Sequence, residues 1–241
     1  MTTANARMPH VLVGCPTSDY HDYCVKEYLA AVKSLSYPHY DILIIDNSKD
    51  KTHGKVFEQA GIPVQRFEFV DSAKERIIGS RNLLRKHVLD NGYDYFFSLE
   101  ADVIPPKDVI ERLLEDQKEV VSGIYYKTHD LVPQGTIDIP LAYLHVGEQK
   151  WARLRNLGKS EIASGQLFQL AYCGLGCILI KRSVLEKFEF RFKIAGKGLG
   201  GFDDIWFGTD CELQGIPIFA DTRIICQHLQ DRPWLWNDVQ K

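Results

Sequence analysis

Apolar positions along this chain follow two alternating rhythms. His10 to Val13 (HVLV) is a short unbroken apolar run that ends in Gly-Cys-Pro, the pattern of a buried strand entering a loop. From Tyr23 to Leu35 the spacing changes, and Val25, Tyr28, Leu29, Val32 and Leu35 fall on one side of a helix. Asp41 to Ile45 (DILII) is a second buried strand, stopped by the turn-forming cluster Asp46-Asn47-Ser48. Apolar strands in β-α-β order predict a parallel sheet covered on both faces, hence an α/β fold.

The alternation continues. Val64 to Phe69 reads as a strand, Ser72 to Leu89 as a helix with Ile77, Ile78, Leu84 and Val88 inward, and Tyr93 to Leu99 as the next strand, ended by Glu100-Ala101-Asp102-Val103-Ile104-Pro105-Pro106. Proline is tolerated in a first helical turn, so a helix over Lys107 to Asp116 starts there. Val120 to Tyr126 is another strand. From Lys127 to Gln169 the regular signal fades into Pro133, Gly135, Pro140 and isolated aromatics, which suggests binding loops. Leu167 to Ile180 is strand-like again, followed by a short helix (Ser183 to Phe188), a glycine-rich loop (Lys193 to Gly201), a helix (Asp203 to Gln214) and closing strands (Ile218 to Cys226).

Composition narrows the class. With 241 residues, 45% hydrophobic and 25% charged, the chain is long enough for one full core, and we expect a single domain over residues 1–241. Lys and Arg number 29 against 32 Asp and Glu, for a formal charge of −3. That balance, without any run of five or more like charges, argues against nucleic acid as a partner. The first eight residues carry no apolar segment, and the later apolar stretches are short or broken by glycine, so we expect no transmembrane segment and a cytoplasmic protein. Six cysteines lie among apolar neighbours without a C-x-x-C pair, as reduced core thiols do.

The polar residues that interrupt this pattern collect where predicted strands end: Thr17, Asp46, Glu100 and Asp102. In an open parallel sheet that edge is where ligands bind. Glu100 and Asp102, two apart in extended chain, leave on the same side, and a hard divalent cation would relieve their repulsion. The plain alternative is that they cap the helix after Pro105-Pro106. Asp203-Asp204 are open to the same alternative at the next helix, and His228 to a purely structural role.

The order of short motifs then becomes informative. Cys15-Pro16-Thr17, Asp46-Asn47-Ser48, Gly79-Ser80-Arg81-Asn82, Glu100-Ala101-Asp102, Val121-Ser122-Gly123, Gly174-Leu175-Gly176-Cys177 with Lys181-Arg182, Asp203-Asp204-Ile205-Trp206-Phe207 and His228 together resemble the GT-A glycosyltransferases of the family 2-like branch, from about His10 to about Leu229. The resemblance implies a Rossmann-like three-layer sandwich with a mainly parallel central sheet, residues 10–126 forming a nucleotide-binding half and 127–229 an acceptor-binding and catalytic half. It implies a metal-dependent transfer of sugar from a UDP- or GDP-sugar donor to a glycan or other hydroxyl acceptor. Pro16, Thr17, Asp46, Asn47 and Arg81 would border the nucleotide, Asp46 accepting hydrogen bonds from the base. Glu100-Ala101-Asp102 stands at the family's D-x-D position, with Glu in place of the first Asp. Asp102 and His228 would then hold Mn²⁺ or Mg²⁺, and Glu100 and Ala101 would line the nucleotide. Asp204 would be the general base of an inverting reaction, with Asp203 orienting the acceptor. Gly174 would let sugar approach closely, and Trp206, with Tyr143, Trp151 and Phe202, would offer stacking faces. A noncatalytic sugar-binding protein on the same fold, or a sugar nucleotidyltransferase, are the rival readings. The latter, like a dinucleotide oxidoreductase, would want a glycine-rich phosphate loop where this chain has Gly14-Cys15-Pro16-Thr17.

Overall fold

The computed structural model describes residues 7–131, 135–147, 154–192 and 201–230, together with the backbone of residues 234–235. In chain order the elements are β1 (Val11–Thr17), a 3-10 helix (Asp19–Cys24), α1 (Val25–Lys33), β2 (Tyr40–Asp46), α2 (His53–Gln59), β3 (Val64–Arg66), α3 (Ala73–Asn91), β4 (Tyr95–Leu99), β5 (Val103–Ile104), α4 (Val109–Glu115) and β6 (Val120–Ile124). There follow β7 (Tyr126–Asp130), β8 (Thr136–Pro140), β9 (Ala142–His145), β10 (Leu154–Asn156), α5 (Lys159–Ala163), β11 (Leu167–Leu170), β12 (Tyr172–Cys173), β13 (Cys177–Lys181), α6 (Arg182–Leu185), α7 (Asp203–Leu213), β14 (Ile218–Ile225), β15 (Gln227–His228) and β16 (Trp234–Leu235).

Eight strands form the main sheet in the order β11-β14-β6-β13-β4-β1-β2-β3. The run β4-β1-β2-β3 is parallel, as is β14-β6, while β13 and β11 run against their neighbours. Period-2 alternation divides the strand residues between two cores. Val11, Val13, Cys15, Ile44, Phe97 and Leu99 pack with Tyr28, Phe57 and Leu113 on one face. Leu12, Leu43, Ile45 and Phe96 pack with Leu84, Val88 and Phe207 on the other. Burial on both faces is why these strands read as unbroken apolar runs, and it makes the molecule a three-layer sandwich.

Several expectations need correction. β1 does not stop at the Gly-Cys-Pro sequence but runs through Thr17, paired to β2 along its whole length. Its pairing with β4 ends at Gly14 opposite Ser98, so Pro16, with no N–H to donate, lies where one side of β1 has no strand neighbour. Helix α2 was not anticipated, and Ile77 and Ile78 of α3 are half-buried rather than core. The stretch from Lys127 to Gln169 is not irregular throughout: β7 and β8 pair antiparallel, and β9 is joined by β10 and β12 in a small sheet beside the main one. The expected glycine-rich loop lies outside the described residues except for Gly201, as do Pro133 and Trp151. All six cysteines are buried and unbridged.

Candidate active site

The carboxyl ends of the parallel strands form one edge of the sheet, and the register aligns their last residues: Thr17 lies opposite Asp46, and Asp46 opposite Arg66. Asp46 is fully buried, and both its oxygens are in use. Oδ1 accepts from the Ser48 amide (2.9 Å) and hydroxyl (2.5 Å), and Oδ2 from Arg66 (2.6 Å) and the Gly54 amide (3.2 Å). The expected hydrogen bond from a base would therefore compete with four donors already in place. Thr17 Oγ1 meets His53 Nε2 (3.2 Å), whose Nδ1 faces Asp22 (2.6 Å), and Asn47 donates to Ser80 (3.1 Å). Pro16, Thr17 and Asn47 are all buried, so this corner is packed into shape from inside.

Arg81 joins the two halves of the chain. Its side chain is buried on α3, with Nε donating to Asp203 Oδ2 (2.5 Å), one terminal nitrogen to Ser98 Oγ (2.8 Å) and the other to Glu100 Oε1. The two flanking carboxylates outweigh the burial that opposes its charge, and its pKa is raised. Ser98 passes the connection on to the Leu175 carbonyl (2.7 Å), and the Glu100 amide donates to the Gly176 carbonyl (3.0 Å). The Gly174-Leu175-Gly176 turn is thereby held against the end of β4. A Cβ on Gly174 would fall 2.1 Å from the Tyr125 hydroxyl, and one on Gly176 2.8 Å from that hydroxyl and 2.9 Å from Glu100 Oε2. Tyr125 packing thus accounts for both glycines, whereas Gly174 was expected to make room for sugar. The Tyr125 hydroxyl also accepts from the Gly176 amide (2.9 Å).

Asp203 and Asp204 open α7. A helix N-terminus favours carboxylates, but burial and the adjacent Asp203 charge outweigh it at Asp204, whose pKa is pushed up to about 7 despite a hydrogen bond from the Ile205 amide (2.7 Å). Among the described residues Asp204 has no ion-pair partner, whereas Asp203 is neutralised by Arg81. Lys127 of β7, missed by the sequence reading, lies in the field of Asp204, Glu100 and Asp102, and burial lowers its pKa against their pull.

Asp102 and His228 meet on the other side of Glu100. β15 pairs with β5 so that His228 stands opposite Val103. Its Nδ1–H donates to the Tyr126 carbonyl (2.7 Å), which turns Nε2 onto Asp102 Oδ2 (3.2 Å). Burial opposes the charge on each, but their mutual attraction wins: the histidine pKa is raised and the aspartate pKa lowered. Asp102 Oδ1 is shut off from solvent, with no hydrogen-bond partner among the described residues. An orphaned carboxylate oxygen beside an imidazole nitrogen is a donor pair that suits a divalent cation such as Mn²⁺. Among the described residues no three His, Cys, Asp or Glu side chains converge on one metal position.

The aromatics divide. Trp206 is half-buried, with the Arg191 guanidinium 4.9 Å from its ring centre, and its Nε1 has no hydrogen-bond partner among the described residues. Tyr143 is stacked on Tyr172 (4.3 Å), and Phe202 is 49% exposed beneath Lys74. Ala101, between the two acids, is wholly buried in the core on that face of the sheet.

The three-layer α/β sandwich with its mainly parallel sheet is the fold of GT-A glycosyltransferases. The glycosyl transferase family 2 model matches residues 23–188, and the chain belongs to that family. A curated relative, the poly-beta-1,6-N-acetyl-D-glucosamine synthase of Staphylococcus epidermidis, is 33% identical over 96 residues, 39% of this chain and 22% of that enzyme. The match therefore spans only about a fifth of the relative's length. Among solved structures, GalNAc-T7 with UDP, GalNAc and Mn²⁺ matches 96% of this chain and 46% of its own, with a TM-score of 0.64 and 12% identity. The mannosyltransferase PcManGT of Pyrobaculum calidifontis, with GDP-Man and Mn²⁺, matches 95% and 59%, with a TM-score of 0.61 and 15% identity. At such identities the likeness is one of fold. No described helix is long and apolar enough to cross a membrane.

Proposed function

We propose that the protein transfers a sugar from a UDP- or GDP-sugar to an acceptor hydroxyl, with inversion, and that Asp204 is the general base. The observation that carries this is the division of labour among the acids. Arg81 pairs with Glu100 and Asp203, leaving Asp204 without an ion pair among the described residues and with a pKa of about 7. A carboxylate so poised can take a proton at neutral pH without first breaking an ion pair. Asp204 accepts the acceptor hydroxyl's proton as that oxygen bonds to the anomeric carbon and the bond to the nucleoside diphosphate breaks. Asp203, fixed by Arg81, orients the acceptor. Residues 10–126 serve the donor and residues 127–229 the acceptor.

Asp102 and His228 would hold the divalent cation, with donor oxygens and water completing its shell. The bound ion would offset the negative charge that develops on the departing diphosphate. Pro16, Thr17, Asn47 and Arg66 would border the nucleotide, and Trp206 the acceptor sugar. The buried Asp46 acts here by fixing Arg66 and the Ser48 turn.

The test is release of nucleoside diphosphate from UDP- and GDP-sugars, with Mn²⁺ or with EDTA. Release from one donor that EDTA abolishes, and that is lost in Asp102→Ala and Asp204→Ala, is the expected result. Full activity in Asp204→Ala would remove the base assignment, and activity insensitive to EDTA the cation.

A further inference from the structure

Three side chains stand in one row across the small sheet. Tyr143 of β9 lies opposite Asn156 of β10 on one side and opposite Tyr172 of β12 on the other. Antiparallel partners project to the same face, so all three share it, and His145, two residues on from Tyr143, does too. The other face carries Ala142 and Cys173 into the core. The Tyr143 and Tyr172 rings are stacked at 4.3 Å with their planes 11° apart. Tyr172 is 8% exposed, whereas Tyr143 and Asn156 are half-buried, so the row opens as it leaves β12.

Helix α7 runs beside this row, and two contacts fix its register. An added Cβ on Gly208 would fall 2.4 Å from the Cβ of Tyr172, and Glu212 Oε2 lies 3.8 Å from His145 Nε2. Asp204, Gly208 and Glu212 are spaced by four and share one stripe of the helix. Going back along that stripe from Gly208 by one turn, about 5.4 Å, places Asp204 just past the tyrosine pair. Going back two residues along β9 from Tyr143 leads to Leu141, whose carbonyl accepts from the Gly174 amide (2.9 Å) in the turn held against β4. Asp204 thus stands between the tyrosines and the donor side of the site. Both phenols are held above their usual pKa, by burial first, and the Asp204 charge contributes at each.

A pyranose ring has apolar C–H faces and a rim of hydroxyls. Tyrosine rings flanked by a carboxamide present the complementary surface, apolar bodies with polar tips. With a base at one end of such a row, the matching ligand is a chain of sugars: the reacting unit at Asp204 and the next one about a helical turn away.

We propose that the acceptor is a saccharide of two or more units, and that Tyr143, backed by Tyr172, is a specificity-determining residue that binds the unit next to the one whose hydroxyl is glycosylated. This rests on the reading of Asp204 above. Trp206, two residues after Asp204, leaves the helix on another side and serves the reacting unit. Because the new bond forms one unit away from Tyr143, contact there is equal in ground and transition states, and it sets KM rather than kcat.

The experiment is release of nucleoside diphosphate by the full chain, with Mn²⁺ and the UDP- or GDP-sugar that it turns over. The acceptors are glucose, mannose and N-acetylglucosamine series of one, two and three units, with glycerol and a serine peptide as non-saccharide hydroxyls. Calorimetry measures binding of the same saccharides without turnover. In the accepted series, two units should give a lower KM than one. Tyr143→Ala should raise KM for two- and three-unit acceptors about 10-fold, with kcat changed by less than about twofold and the one-unit KM unaltered. Tyr143→Phe, which keeps the ring, should stay near wild type; if Tyr143→Ala misfolds, Tyr143→Leu makes the same comparison. A merely structural tyrosine would shift kcat and the one-unit KM together. Equal KM for one and two units, transfer only to glycerol or the peptide, or no binding of any saccharide overturns the inference and spares Asp204 as long as Asp204→Ala abolishes turnover. No release from any donor overturns the transferase reading, whereas weaker calorimetric binding of two-unit saccharides by Tyr143→Ala would still support the subsite.

Discussion

Asp204 carries two opposite demands in one side chain. Its pKa of about 7 lies above the ordinary carboxylate value, so the folded protein holds this proton more tightly than the unfolded chain does. Its stabilising contribution is therefore complete at acid pH and is lost as pH rises through 7, the range in which a base becomes available. We expect kcat/KM to rise with pH through about 7 and then level off, and Asp204→Asn to cost about 10²–10⁴-fold in rate. The same substitution should raise Tm at pH 8 by at least about 2–4 °C, the shift that 1 kcal/mol produces in a chain of this size, and leave Tm unchanged at pH 4. A variant that lost activity and also melted earlier at pH 8 would point to a structural carboxylate instead. That Asp204, Asp102 and His228 stand at element ends was legible, the two acids from short motifs and the histidine from the strand that precedes it. What Arg81 binds was not: Asp203 is 122 residues away in sequence, and only the folded sheet brings the two together. The filled hydrogen-bonding capacity of Asp46 was equally invisible, since it depends on Arg66 arriving from the next strand.

At the level of elements, the site depends on how closely α7 approaches the small sheet. Gly208, in the middle of that helix, would bring an added Cβ to 2.4 Å from the Tyr172 side chain and 2.9 Å from the Ala171 carbonyl. The second contact is backbone and cannot rotate aside. Gly208→Ala should therefore push the helix off β12, lowering stability by about 1–3 kcal/mol and transfer activity with it, as Asp203 and Asp204 ride on the same helix. Chemical denaturation together with activity at a temperature where the variant stays folded checks this, and wild-type values in both would disprove it. Long helices and buried strands were legible from periodicity: α3 begins at its Ser72 cap and ends at Gly92, which has a positive φ. The region after Lys127 was not. Strands of three to five residues with half-exposed faces carry too few apolar positions to set a period.

For the whole molecule the decisive fact is where β13 lies. It stands between β4 and β6, so the last strand of the first half touches the others only through a strand from the second. The halves named for donor and acceptor are thus woven into one sheet, and the full chain should unfold in a single thermal transition with matching calorimetric and van't Hoff enthalpies. Two separable transitions would refute this. Sequence alone revealed alternating strands and helices but not this interleaving, because strand order is set by which edges meet after the helices have packed.

The position of His228 has a consequence for how the protein is made. Asp102 lacks its imidazole neighbour until β15 has been synthesised and has closed on β5. A polypeptide emerging from the ribosome folds its early parts first, so until residue 228 has been made this one would lack one of the two side chains proposed to hold the cation. On the proposed cation reading, fragments left by stalled translation before His228 would lack the means to break an activated sugar's bond, and unfinished copies would not drain the donor supply.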